Sequence, residues 1–129
     1  MNTEQHKFFL YARKSTDVED KQVRSIEDQI AELRAFAKQE NLNVIDILIE
    51  KRSAKIHGRP IFNEMLDKIE RGEANGILAW HADRLARNSV DGGRIIYLLD
   101  IGKLASLKFP TLWFENTPQG KFMLNIVFG

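Results

Sequence analysis

This sequence predicts an α/β domain built on a mostly parallel sheet of about four strands with helices packed against it. Two observations carry that expectation. Apolar runs too short for helices (residues 7–13, 44–49, 76–80 and 111–114) alternate with segments whose apolar residues recur at helical spacing. Chemically active residues then gather just past two of those runs, where open sheets of this kind bind ligands.

The elements follow in order. Residues 7–13 read as a buried strand, an apolar run bounded by polar residues. Ser25-Ile26-Glu27-Asp28 signals a helix start, with Ser25 as N-cap and acids in the first turn. Ile26, Ile30, Leu33 and Ala37 continue at helical spacing, and that helix should end near Asn41. Val44 to Ile49 is rich in β-branched residues and reads as a second strand.

Arg59-Pro60 opens the next helix, with Pro60 near N1, where its missing N–H costs nothing. Phe62, Met65, Leu66 and Ile69 form one apolar stripe, and Gly72 stands where a C′ glycine belongs. Gly76 to Trp80 is the third strand. A helix after Asn88 carries Ile95, Ile96, Leu98 and Leu99, but its Gly92-Gly93 pair should cost about 2 kcal/mol in a helix interior. Either that helix tightens only after Arg94, or something packs closely against the glycines. Thr111 to Phe114 reads as the fourth strand with Pro110 at its edge, and Thr117-Pro118 as a further N-cap and N1. The chain stops at Gly129 in full apolar stride, so residues 1–129 are expected to be one domain of a longer protein.

Composition narrows the function classes. At 129 residues and 43% hydrophobic the chain supports a single domain with a real core. It has no cysteine, which excludes a disulfide framework and a cysteine-based zinc site and fits a reducing cytoplasm. Met1 to Lys7 is polar, and no apolar run approaches the roughly 18 residues of a membrane span, so a cytoplasmic, non-membrane protein is expected. His6, His57 and His81 have no metal-ligand spacing, and no paired carboxylates suited to two magnesium ions stand out. Neither a metal nor a cofactor is expected. The net charge of +1 says little about nucleic acid.

The informative motifs are Tyr11-Ala12-Arg13-Lys14-Ser15 and Asp83-Arg84-Leu85-Ala86-Arg87-Asn88. Arg13 and Ser15 share a strand face because side chains alternate with period two. Arg84 and Arg87, three apart at a helix start, share a helix face. A hydroxyl beside fixed guanidiniums suits attack on a phosphodiester, because the guanidiniums stay charged and offer a planar fork to the developing negative charge. A helix N-terminus would add to it. A lone serine after a strand is more often a local hydrogen-bonder, and Asp83 with Arg84 and Arg87 could be a cap with surface ion pairs. No His–Asp partner for Ser15 is visible, so a protease-like triad is not expected.

Five elements in order resemble the catalytic domain of the serine recombinases (resolvases and invertases), most closely their large branch of phage integrases and transposon recombinases. They are Tyr11-x-Arg13-x-Ser15, Ser25-Ile26-Glu27-x-Gln29, Gly58-Arg59-Pro60-x-Phe62, Asp83-Arg84-Leu85-x-Arg87-Asn88 and Thr117-Pro118-x-Gly120-Lys121. The resemblance runs from about Lys7 to Gly129 and implies a three-layer resolvase-like fold. It implies that Ser15 attacks a DNA phosphodiester to give a 5′-phosphoserine link and a free 3′-hydroxyl, without metal or ATP. Arg13, Arg59, Arg84 and Arg87 would be the active-site arginines, Asp83 and Gln29 supporting polar residues, and Lys68 and Asn88 positions near the substrate. The implied partners are double-stranded recombination sites and, for the full-length protein, a homodimer and a synaptic homotetramer. Residues 1–129 alone are expected to be monomeric or weakly associated. From a different class, a non-catalytic α/β module whose arginines bind a phosphate or partner needs no hydroxyl at Ser15. A nucleotide-binding protein lacks its Gly-rich loop here.

Overall fold

The computed structural model describes residues 6–15, 26–52, 60–80, 89–110 and 112–115. Five strands and three helices lie among them: β1 (Lys7–Ser15), α1 (Ile26–Gln39), β2 (Asn43–Arg52), α2 (Pro60–Glu70), β3 (Gly76–Ala79), α3 (Ser89–Asp100), β4 (Ser106–Phe109) and β5 (Leu112–Glu115). They make one sheet in the order β2-β1-β3-β4-β5, parallel throughout except for the β4–β5 pair. The α/β class with a mostly parallel sheet is therefore as expected. None of the described helices is long and apolar enough to cross a membrane.

β1 lies at the centre, paired with both β2 and β3, and Phe8 to Ala12 are all buried. A strand covered on both faces reads as a continuous apolar run, which is why its sequence signal is strong. Its two faces feed two cores. Phe9 and Tyr11 pack with Phe62, Met65, Leu66 and Ile69 of α2 and Ile95, Leu98 and Leu99 of α3. Phe8 and Leu10 pack with Leu33 and Ala37 of α1. Right-handed crossovers explain this division: the chain moves one way from β1 to β2 and the other way from β2 to β3 and β4, so the connecting helices fall on opposite faces.

The helix boundaries follow local chemistry. α1 ends at Gln39, and Asn41 takes a left-handed φ of 58°. The Leu42 amide donates to Ala37 O and the Asn41 amide to Lys38 O, the Schellman pattern. α2 closes the same way around Gly72, at φ 87° as its position predicted, with the Glu73 amide donating to Lys68 O. α2 and α3 are clipped together by Arg94, which donates to Asn63 Oδ1 at 2.9 Å and to Asp67 Oδ1 at 3.3 Å.

One expectation changes, and two are resolved. The fourth parallel strand is Ser106–Phe109, which the sequence pattern does not announce, and the segment expected there forms the antiparallel edge strand β5. Ser106-Leu107-Lys108-Phe109 is only four residues long and holds no β-branched residue, so it carries little strand signal. Pro110 sits in the turn between the two strands. Finally, α3 is helical from Ser89, through both glycines; Gly92 is buried, whereas a Cβ on Gly93 would meet nothing within 4 Å. Ser25 and Thr117-Pro118 lie outside the described residues.

Candidate active site

The direction of chain travel reverses at β1, between its neighbours β2 and β3. In open α/β sheets the crevice beyond the carboxyl ends of strands at such a reversal is the ligand site. Ser15 is the last residue of β1, and the Asp83–Asn88 segment follows shortly after β3 in the chain. Topology thus puts the carboxyl end of β1, where Ser15 lies, beside that crevice.

Around the carboxyl end of β1 the side chains build up residue by residue. Phe9, Tyr11 and Arg13 alternate onto the face covered by α2 and α3, and Arg13 is only 3% exposed. In the β1–β2 register Tyr11 faces Leu48, Arg13 faces Glu50 and Ser15 faces Arg52. Glu50 is 2% exposed, and a carboxylate that deep needs partners. It has three: Tyr11 Oη donates to Oε1 at 2.7 Å, the Phe62 amide to Oε1 at 2.9 Å and the Ile61 amide to Oε2 at 3.1 Å. The Tyr11 ring also meets Phe62 edge to face, with centroids 5.9 Å apart.

Glu50 thus joins β1, β2 and the start of α2 in one buried cluster. Sequence reasoning does not single it out. Its one signal is an acid directly after the β-branched run Val44 to Ile49, where a buried strand should admit no unpaired charge. Its carboxylate fills the place an anion would take at the start of α2, so those amides are not available to a phosphate.

The sequence-predicted residues fare differently. Arg13 is buried near the carboxyl end of β1, and Ser15 is described through its backbone alone. Gln29 is 1% exposed in the first turn of α1, on the opposite layer from Arg13. Lys68 stands apart: eight residues beyond Pro60, it lies about 12 Å along α2 from its start. Its Nζ is 3.9 Å from Glu64 Oε2, an i,i+4 pair on a partly exposed surface. Arg59, Asp83, Arg84, Arg87 and Asn88 lie outside the described residues.

The model of the family described as "Resolvase, N terminal domain" matches residues 8–128. The chain belongs to the resolvase family. Solved structures agree on the fold. This resolvase domain is similar to the N-terminal catalytic domain of TP901-1 integrase, at 23% identity and TM-score 0.69, covering 94% of this chain and 90% of that one. It is also similar to a resolvase family site-specific recombinase from Streptococcus pneumoniae, at 24% identity and TM-score 0.70, covering 95% and 85%. The catalytic domain of ISC1926 TnpA, an IS607-like serine recombinase, aligns at 17% identity and TM-score 0.62 over 94% and 78%. No curated protein matches. Family membership makes this a domain of the site-specific recombinases.

Proposed function

We propose that this domain cuts and rejoins DNA through Ser15. The hydroxyl oxygen attacks a backbone phosphorus, a 5′-phosphoserine bond forms, and the bond to the 3′ oxygen breaks. That oxygen leaves as a 3′-hydroxyl after gaining a proton, and the reverse attack by a 3′-hydroxyl rejoins the strand. Arg13, Arg59, Arg84 and Arg87 hold the phosphate oxygens as negative charge builds, with Asp83 and Gln29 supporting them and Asn88 near the substrate. Lys68 belongs to the same proposal as a more distant contact to DNA. No metal or cofactor is needed, because the guanidiniums supply the charge. The reaction takes place on cytoplasmic double-stranded DNA and, in the full-length protein, within a homodimer that pairs into a synaptic tetramer; residues 1–129 alone are monomeric or weakly associated.

The observation that supports this reading most is Arg13, buried near the carboxyl end of β1, the strand that ends at Ser15 and at which chain travel reverses. A guanidinium fixed there costs burial energy that a purely structural side chain would not. The test is to incubate the protein with nicked duplexes tiling the DNA that borders its own gene. Wild type is expected to form a covalent DNA–protein species that Ser15→Ala does not form. If Ser15→Ala forms it equally well, the mechanism is wrong.

A further inference from the structure

β2 closes one side of the sheet, and the margin of its first half is not covered: Ile45 is 43% exposed. A groove of about 560 Å³ runs there between β2 and the last two turns of α1. Leu42, Val44 and Ile47 floor it, Ile45 forms one rim, and Arg34 and Lys38 of α1 form the other. The two cations stand one helical turn apart, a spacing at which like charges repel. No acid lies three or four residues from either within α1. Neither side chain has an ion pair or hydrogen bond among the described residues. The acid of the groove, Asp46, has its Oδ1 on the amide of Ile47 at 2.9 Å. The fold thus leaves two uncompensated cations above an apolar floor.

We propose that this groove docks an acidic amphipathic helix of a partner protein. Its apolar side chains rest on Leu42, Ile45 and Ile47, and its carboxylates pair with Arg34 and Lys38. Charge complementarity commits the groove to an acidic partner. The floor commits it to protein, because a DNA backbone brings phosphates but no apolar side chains to fill it. The strand edge favours a helix over an added strand. Ile45 is the extra residue of a bulge, with no partner in β1, and Asp46 already holds the Ile47 amide. A bulged edge with an amide taken is a poor template for further pairing. The groove also stands apart from the proposed chemistry. β2 meets Ser15 at Arg52, roughly 17 Å along the strand from Ile47.

The probe is a synthetic helical peptide of about 18 residues, with leucines spaced i, i+4 and i+7 and glutamates flanking them. Titrated into the isotope-labelled protein, it is expected to shift the amides of residues 34–47 saturably and to leave those of β3 and β4 in place. R34E/K38E is expected to bind it at least about 10-fold more weakly, and to bind the matching lysine peptide that wild type rejects. That exchange reads charge pairing directly, and a variant that failed to fold could not show it. I45T, which stays β-branched, is expected to bind severalfold more weakly because the apolar rim shrinks. Shifts scattered over the sheet overturn the proposal, and so does equal binding of a peptide with glutamine in place of glutamate. Displacement of the peptide from these residues by duplex DNA makes the groove a nucleic-acid contact and also overturns it. So does self-association in sedimentation that R34E/K38E abolishes, which makes a second copy the occupant.

Discussion

Tyr11 donates its hydroxyl proton to Glu50 at 2.7 Å across a sequence separation of 39 residues, inside a cluster almost sealed from solvent. A neutral donor bonded to a buried carboxylate contributes about 1.5–3 kcal/mol. Tyr11→Phe is expected to lose that amount in urea denaturation with an unchanged m-value. Glu50→Ala should lose more, at least about 3 kcal/mol, because it strands the Tyr11 hydroxyl and two amides together. Equal losses in the two variants would show that the backbone bonds contribute nothing.

Arg13 is expected not to tolerate lysine. A lysine keeps the charge but replaces the planar fork with a point donor on a flexible stem. Arg13→Lys should therefore slow formation of the Ser15–DNA adduct by about 100- to 1,000-fold, the scale seen on deleting one donor to a developing oxyanion. Single-turnover kinetics at saturating DNA measure it, and a rate within a few-fold of wild type would remove Arg13 from the chemistry.

Gly76 has no room for a side chain. A Cβ there would stand 2.7 Å from two ring atoms of Phe8, its partner in the β1–β3 register. Phe8 is itself buried at 2% exposure, so the ring has little freedom to yield. Gly76→Ala should cost about 1–3 kcal/mol through overpacking. Adding Phe8→Leu should recover part of the loss, a non-additivity that thermal melts of the two single variants and the double variant can read.

Gly93 presents the opposite case. It lies in the interior of α3, and a methyl group added there would meet nothing within 4 Å, so only its backbone freedom matters. Gly93→Ala should stabilise the domain by about 1 kcal/mol in denaturant unfolding. A loss of stability would point to a close neighbour at that face. The two adjacent glycines thus differ: Gly92 is buried, and Gly93 is open.

Local elements were legible in the amino-acid order. A continuous apolar run specified β1, Pro60 and Gly72 bracketed α2, and helical spacing marked Ile95, Ile96, Leu98 and Leu99, all buried but the half-buried Ile96, because these signals depend on neighbours a few residues apart. Alternation, a property of any strand, also put Arg13 on one face of β1 with Tyr11 and Phe9. Only the folded chain settles the order β2-β1-β3-β4-β5, and with it the reversal at β1 that makes a crevice. The fold also separates β4 from β5, two four-residue strands defined more by what they pair with than by composition. Glu50 shows the reason most clearly: an acid ending an apolar run becomes intelligible only when Tyr11, Ile61 and Phe62 arrive from elsewhere in the chain to satisfy it. Pairing of that kind is non-local, and no window along the sequence contains both halves of it.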